Sequence, residues 1–214
     1  MQSKSLEMGL VMLLPNTAKK LIQLEIISTR ILSPGDIALL ELGDSKNYPW
    51  QSLEPYPQLR LCGPKLDEQV FSFGYPSKGI RRLREHNVVV NLSPASARGK
   101  VLDVELHPRS FPSQRVPRFQ TDAEYLPGMS GSPIAGEDGR ICGVVASSIS
   151  GVDNESPISF GSIMWPLVPT LIRRRILRRN STKRLRKLSF SGLIDFVDYE
   201  DLPSSIRDLP PSLL

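Results

Sequence analysis

The stretch that decides the fold is Gln120-Thr-Asp-Ala-Glu-Tyr-Leu-Pro-Gly-Met-Ser-Gly-Ser-Pro-Ile-Ala-Gly136, which carries Ser130 in a glycine-rich turn sequence. A serine hydroxyl becomes a useful nucleophile when a tight turn exposes it and backbone amides point at the charge that develops on the substrate. Gly128 and Gly131 permit such a turn. A Gly-x-Ser-Gly sequence alone is more often a plain turn between two strands. The flanking sequence must therefore show whether Ser130 is a candidate nucleophile.

The neighbouring sequence on both sides predicts strands. Downstream, 137–139 is Glu-Asp-Gly, which is typical of a hairpin turn, and the β-rich segment 140–148 follows it. Upstream, a Ser-Pro-Gly turn leads into the apolar strand 36–42, which Asp36 opens. Taken alone, Asp36 fits a turn carboxylate that binds its own backbone.

Composition and periodicity predict an all-β protein. Nineteen prolines and fifteen glycines are scattered among short apolar runs, which favours many turns and short strands over long helices. Alternating or β-branched segments predict strands over 21–27, 36–42, 69–76, 87–92, 100–106 and 140–148.

An Asp at the start of a strand, followed after a long all-β interval by Pro-Gly-Met-Ser-Gly-Ser-Pro, resembles the trypsin-like (chymotrypsin-fold) serine proteases. The likeness is greatest to the bacterial Deg/HtrA and glutamyl-endopeptidase branches, whose Thr-Asp and Gly-Ser-Pro positions match Thr121-Asp122 and 131–133. The resemblance spans roughly residues 20–172 and implies two six-stranded antiparallel barrels, with 157–166 as the last strand. We expect the first barrel to be incomplete and a C-terminal helix to close the second.

The resemblance also implies a set of site residues. Ser130 would attack the scissile carbonyl, Asp36 would orient an imidazole, and the oxyanion hole would be the turn Gly128, Met129 and Ser130, with the N–H groups of Gly128 and Ser130 as donors. Glu124 would floor the primary substrate pocket, where it could favour a basic side chain, or would point to solvent. Val145, Ala146, Ser147 and Ser148 would pair with the substrate backbone.

A catalytic histidine is missing from the place where the resemblance requires one. It belongs on the first barrel, well before the aspartate, and Met1–Leu14 contains no histidine. His86 and His107 follow Asp36, in the wrong chain order, and are better explained as structural or surface histidines. Three explanations stay open: an amino-terminally truncated protease, a pseudoprotease that binds peptides, or a different base.

The sequence therefore predicts a serine endopeptidase-family protein whose activity is impaired or absent in this chain. The leading alternative is a non-catalytic peptide-binding homologue. A second alternative is a module that binds nucleic acid, an anionic membrane or an acidic protein through its basic segment. We expect four regions: 1–60, a partial first barrel carrying Asp36; 61–165, the second barrel carrying Ser130; 166–188, a closing helix and basic segment; and 189–214, an acidic, proline-containing tail.

The basic segment makes the protein cationic overall. Nine basic residues and no acidic residue lie between 173 and 187, against a net charge of +5 for the chain. The common explanation is a closing helix with a solvated basic face, and the functional one is a site for an anionic partner. The residues that would bind such a partner are Arg173, Arg174, Arg175, Arg178, Arg179, Lys183, Arg184, Arg186 and Lys187.

Several functional classes find no support in the sequence. Two cysteines and two histidines without ligand spacing predict neither a disulfide framework nor a metal site, and no cofactor motif appears. Nothing in 173–214 resembles the PDZ domain that Deg/HtrA enzymes often carry. Without a secretory leader or a membrane-length apolar run, we expect a cytoplasmic location for the chain as given.

Overall fold

The computed structural model describes residues 9–13, 21–32, 36–42, 58–76, 80–84, 87–90, 93–106, 117–149, 156–167 and 201–204. Within them the chain forms eleven strands, and the predicted all-β class is confirmed. The strands are β1 Gly9–Leu13, β2 Leu21–Leu32, β3 Ile37–Leu42, β4 Gln69–Gly74, β5 Ile80–Arg84, β6 Asn87–Val90, β7 Ala95–Glu105, β8 Arg118–Thr121, β9 Pro133–Ala135, β10 Ile141–Ile149 and β11 Ile158–Ile163.

The chain divides into two compact units. One comprises Met1–Ile31 and Ala38–Pro55, and the other comprises Leu32–Ile37 and Tyr56–Leu214, so Asp36 falls in the second. Strands β1, β2 and β3 form a three-stranded sheet in that order. β1 and β2 pair antiparallel.

Six strands of the second unit close into a barrel. Their order is β10-β11-β8-β7-β4-β9, and the pairs are antiparallel. β5 and β6 form a separate antiparallel hairpin. The predicted six-stranded second barrel is therefore observed.

Side chains of the barrel alternate between its interior and its surface. On β4, Val70 and Ser72 are buried, whereas Phe71 and Phe73 are exposed, as the two-residue period of a strand requires. Each of the six barrel strands contributes a buried apolar side chain to the core; these are Val70, Val101, Phe119, Ile134, Val145 and Ile163. Burial of this apolar surface is the main force that closes the barrel.

The predicted closing helix lies outside the described residues, apart from its first two positions, Pro166 and Leu167. Most of the acidic tail lies outside them too, although Leu202 within it is buried. In the ranges that the structure describes, no helix is long and apolar enough to cross a membrane.

Candidate functional site

The loop that carries Ser130 joins β8 to β9 and is anchored where it leaves β8. Asp122 exchanges two hydrogen bonds with the backbone of Lys100: its Oδ1 accepts from the amide at 2.5 Å, and its own amide donates to the carbonyl at 3.2 Å. Ala123, fully buried, donates its N–H to Thr121 Oγ1 at 3.2 Å and accepts at its carbonyl from Ser159 Oγ at 2.6 Å. Both backbone groups of Ala123 are thus held by buried hydroxyls.

Two glycines shape the turn around Ser130. Gly128 has φ of 95° and Gly131 has φ of 88°, in the left-handed region that side chains other than glycine rarely adopt. Met129 between them is fully buried, whereas Ser130 is exposed. The turn therefore uses the Met129 side chain as its anchor and presents Ser130 outward, as the sequence predicted.

Backbone hydrogen bonds fix this turn to β10. The amide of Gly131 donates to Val145 O at 2.8 Å, and the amide of Val145 donates to Ser132 O at 2.9 Å. The Ser130 hydroxyl donates to Ala146 O at 3.3 Å. Ser130 therefore lies beside the strand residues that were predicted to bind substrate.

The amides of the turn divide into two groups. Those of Met129 and Ser132 donate to carbonyls within the loop, and that of Gly131 donates to β10. In the described part of the chain, the amides of Gly128 and Ser130 donate to no other group. These two amides were assigned to the oxyanion hole from the sequence, and that role stays a prediction.

Asp36 lies against β11 through its backbone. Its carbonyl accepts a long hydrogen bond of 3.5 Å from Ser162 Oγ, and Ser162 pairs across the sheet with Val144 on β10. Its side chain is exposed. Within the described ranges no hydrogen bond or ion pair joins the Asp36 carboxylate to Ser130, and its role in orienting a base stays a prediction.

The described residues include no histidine, since His86 and His107 both lie outside them. The only partner of the Ser130 hydroxyl among these residues is the carbonyl of Ala146. A carbonyl oxygen accepts a hydrogen bond but does not take up the proton at neutral pH. Among the described residues, the Ser130 hydroxyl therefore contacts no group that could act as its base.

Glu124 and its neighbour face opposite ways. Glu124 is exposed and makes no ion pair with any other described residue, which favours the solvent-facing alternative for this side chain. Tyr125 is buried, and burial raises the pKa of its hydroxyl above the usual range. That hydroxyl has no hydrogen-bond partner within the described ranges. The assignment of Glu124 to a pocket floor stays a prediction.

β10 extends past its partner β9. The β9 pairing of β10 ends at Val144 opposite Pro133, while the β11 pairing continues to Ile149 opposite Ile158. A bulge falls between Val145 and Ser147. Beyond Val144, no described strand pairs with β10 on the side of β9. We call residues Ala146–Ile149, on that side, the open edge of β10.

The sequence did not reveal the residues whose hydroxyls hold the backbone of Ala123, at the start of the Ser130 loop. Thr121 was recognised only as part of a family motif, and Ser159 was assigned no role. Ser159 lies 36 residues from Ala123 in sequence. No local signal in the segment 157–166 indicated that the Ser159 side chain is buried or which group its hydroxyl binds.

The remaining ionisable side chains concern metal binding, thiol chemistry and the basic segment. Among the residues that the structure describes, no group of three or more His, Cys, Asp or Glu side chains could hold a metal ion. Cys142 is buried, and burial raises the pKa of its thiol to about 12. The basic residues from Arg173 to Lys187 lie outside the described ranges, so the anionic partner stays a prediction.

Comparisons with known proteins identify the family. A variant of Rv3671c from Mycobacterium tuberculosis H37Rv, in an inactive form, is similar at 16% identity and a TM-score of 0.46, covering 76% of this chain and 69% of that one. Mouse neuropsin, a serine protease expressed in the limbic system of the brain, is similar at 16% identity and a TM-score of 0.49, covering 75% and 74%. No curated protein matches the chain. The model of the trypsin-like peptidase domain matches residues 17–144, and the chain therefore belongs to the trypsin-like peptidase domain family.

Proposed function

We propose that this domain binds an extended polypeptide as an added strand along the open edge of β10, in front of Ser130. We further propose that the chain hydrolyses peptide bonds poorly or not at all. The observation that carries both statements is the hydrogen bond from Ser130 Oγ to Ala146 O, at 3.3 Å. It places the serine at a strand edge and engages its proton with a group that is not a base.

The open edge is suited to strand addition. A strand whose backbone groups lack a partner on one side can pair with an extended peptide, and this main-chain pairing needs no catalytic chemistry. On its other side β10 is paired with β11 as far as Ile149, and the Ser130 turn is hydrogen-bonded to Val145.

Hydrolysis would require more than the described residues supply. Ser130 Oγ would have to attack a carbonyl carbon while its proton passes to a base, with the amides of Gly128 and Ser130 stabilising the oxyanion. Loss of one member of a catalytic triad alone removes most of the rate. The competing proposal is an active peptidase that draws its imidazole from residues outside the described ranges.

A fluorophosphonate probe separates the two proposals. The full chain and its Ser130→Ala variant are treated with the probe, and labelling is followed by intact-mass spectrometry. We expect no labelling of either protein above background. Rapid stoichiometric labelling that Ser130→Ala abolishes would instead establish an activated serine and an enzyme.

Hydrogen exchange tests the peptide-binding proposal. Exchange of the amides in 145–149 is compared with and without saturating reduced, unfolded casein, and the segment 95–105 of β7 serves as the internal control. We expect slower exchange in 145–149 only, in both the native chain and Ser130→Ala. Unchanged exchange at the open edge would overturn the proposal.

A further inference from the structure

The exposed hydroxyl of Ser148, on the open edge, and the buried hydroxyl of Ser159 behind it form a directed relay. Ser159 Oγ lies 2.6 Å from Ala123 O, and Ser148 Oγ lies 2.8 Å from Ser159 Oγ. A carbonyl has no proton, so Ser159 must donate its single proton to Ala123. Ser148 must then donate its own proton to Ser159.

This direction leaves Ser148 as an acceptor only. A hydroxyl has one proton and two acceptor lone pairs, and Ser148 has used its proton. Ser159 is fully buried and Ser148 is exposed. A ligand that approaches Ser148 therefore meets lone pairs and no donor.

The two residues of the edge after Ser147 face opposite ways. Ser148 points toward the buried Ser159, and successive strand residues alternate, so Ile149 points to the outer face. Ile149 is 60% exposed, and its cross-strand partner Ile158 is 38% exposed. Together they form an apolar pair on the surface at the end of the open edge.

We infer that the open edge selects an extended peptide with an apolar residue opposite Ile149 and, next to it, a hydrogen-bond donor opposite Ser148. Directly opposed residues on adjacent strands project their side chains on the same face, about 5 Å apart at Cβ. Donor side chains such as those of Gln, Asn or Thr complete the relay from Ser148, whereas a carboxylate places its own lone pairs against those of Ser148. This inference rests on the proposed strand addition.

The order of the two peptide residues follows from the strand direction. Both neighbours of β10 in the barrel, β9 and β11, run antiparallel to it. An added strand that continues this arrangement meets Ile149 before Ser148 when read from its amino end. The recognised dipeptide is therefore apolar then donor, for example Leu-Gln.

The test uses four fluorescein-labelled peptides that share a flexible frame, Gly-Ser-Gly-x-x-Gly-Ser-Gly. The central pair is Leu-Gln, Leu-Glu, Ser-Gln or Gln-Leu, and dissociation constants are measured by fluorescence polarisation. For the native chain we expect Leu-Gln to bind about tenfold more tightly than Leu-Glu, and about fivefold more tightly than Ser-Gln and Gln-Leu.

Two variants assign these preferences to their residues. Ser148→Ala should weaken Leu-Gln by about fivefold while leaving Leu-Glu unchanged, so that the tenfold preference nearly disappears. Ile149→Ser should remove the advantage of Leu-Gln over Ser-Gln. Ser96→Ala and Leu102→Ser, at exposed positions of β7, are the matched controls and should keep the native order of affinities.

Each outcome has one meaning. A general loss of packing would weaken all four peptides alike and would contradict the inference. If Ser148→Ala keeps the preference for Gln over Glu, the relay does not select the ligand. If Gln-Leu binds as tightly as Leu-Gln, the antiparallel register is wrong. If no peptide binds and casein leaves the exchange of 145–149 unchanged, the proposed function falls as well.

Discussion

Arg60 donates hydrogen bonds to both carboxylate oxygens of Glu68, with Nη1 2.6 Å from Oε1 and Nη2 3.1 Å from Oε2. Both side chains are largely buried, and Glu68 also accepts from the backbone amide of Lys65 at 2.7 Å. Burial alone would raise the pKa of Glu68, but the hydrogen bonds from Arg60 and Lys65 and the charge of Arg60 hold it below its ordinary value. The pair ties residue 60, beside β10, to the start of β4.

The Arg60–Glu68 pair predicts a specific loss of stability in acid. Folding lowers the pKa of Glu68, so its ionised carboxylate adds to the free energy of unfolding. This stabilisation is fully present above the ordinary pKa of 4.5 and is lost as the pH falls through the lower pKa of the folded state. Glu68→Gln lacks this contribution at every pH. We expect the difference in Tm between the native chain and Glu68→Gln to be largest near pH 6 and to shrink toward about pH 3.

Thermal melts followed by circular dichroism measure this difference, and Glu124→Gln is the control. Glu124 is exposed and makes no ion pair within the described ranges, so its substitution should give a small difference in Tm that varies little with pH. A constant difference for Glu68→Gln across the acid range would show that the pair contributes no pH-dependent stability.

Ser159→Ala should destabilise the barrel by about 1–3 kcal/mol. The substitution leaves the buried carbonyl of Ala123 without its donor and deprives Ser148 Oγ of its acceptor. Urea unfolding measures the change, and Ser96→Ala, at an exposed position on β7, should stay within about 0.5 kcal/mol of the native chain. Equal midpoints for both variants would contradict this prediction.

Gly99→Ala should destabilise the protein by about 2–3 kcal/mol, because overpacking against backbone cannot relax cheaply. A Cβ at residue 99 would overlap the backbone N and Cα of Ala123, at the anchor of the Ser130 loop. Gly139→Ala is the comparison variant, in which an added Cβ causes no steric overlap but the backbone is strained. No atom lies within 4 Å of a Cβ at residue 139, whereas its φ is 76°. That variant should lose only about 1 kcal/mol. The reverse order of the two losses would refute the steric argument.

The two cysteines should differ in reactivity. Cys142 is fully buried, its Sγ donates to Ile134 O at 3.4 Å, and its pKa is raised to about 12, whereas Cys62 is half-buried. Ellman's reagent at mildly alkaline pH should modify only Cys62 in the folded protein and both thiols in denaturant. Cys62→Ser should leave the folded protein unreactive, and rapid reaction of that variant would argue against a closed barrel core.

The basic segment 173–187 is predicted to bind an anionic partner, and this can be tested separately. If it binds single-stranded nucleic acid electrostatically, affinity for poly(dT) should fall steeply with salt. Neutralising Arg173, Arg174 and Arg175 to Gln should reduce the slope of log K against log salt by about 2. Neutralising Lys65, Arg98 and Lys100 is the matched control. Binding that is absent, or insensitive to salt, would exclude this role.

The sequence predicted the strands whose alternation extends over several residues, such as β2 and β4. It missed β1, β5, β8 and β9. The last two have only four and three residues, too few to show a readable period. β9 also lies directly after the Ser130 turn, where Pro133 was interpreted only as part of a motif. Bulges in β7 and β10 shift the register by amounts that depend on the partner strands.

The exposed serine could be predicted because its determinants, Gly128 and Gly131, are local. The support behind it could not, since the bond from Ser159 to Ala123 joins residues 36 positions apart. The direction of the Ser148–Ser159 hydrogen bond is still harder to predict from sequence. It can be assigned only when the positions of three strands and a loop are known. Local sequence patterns therefore predict whether a side chain is exposed on a turn more readily than they predict which distant residues support that turn.

The Ser130 turn is bound to β10 through the main-chain atoms of Gly131, Ser132 and Val145. These backbone hydrogen bonds do not depend on the side chains, so they are kept when a tolerated substitution changes a residue of the turn. A lineage can therefore lose the hydroxyl at position 130, or regain it, without rebuilding the open edge of β10. In such an architecture, recognition and reaction are inherited separately.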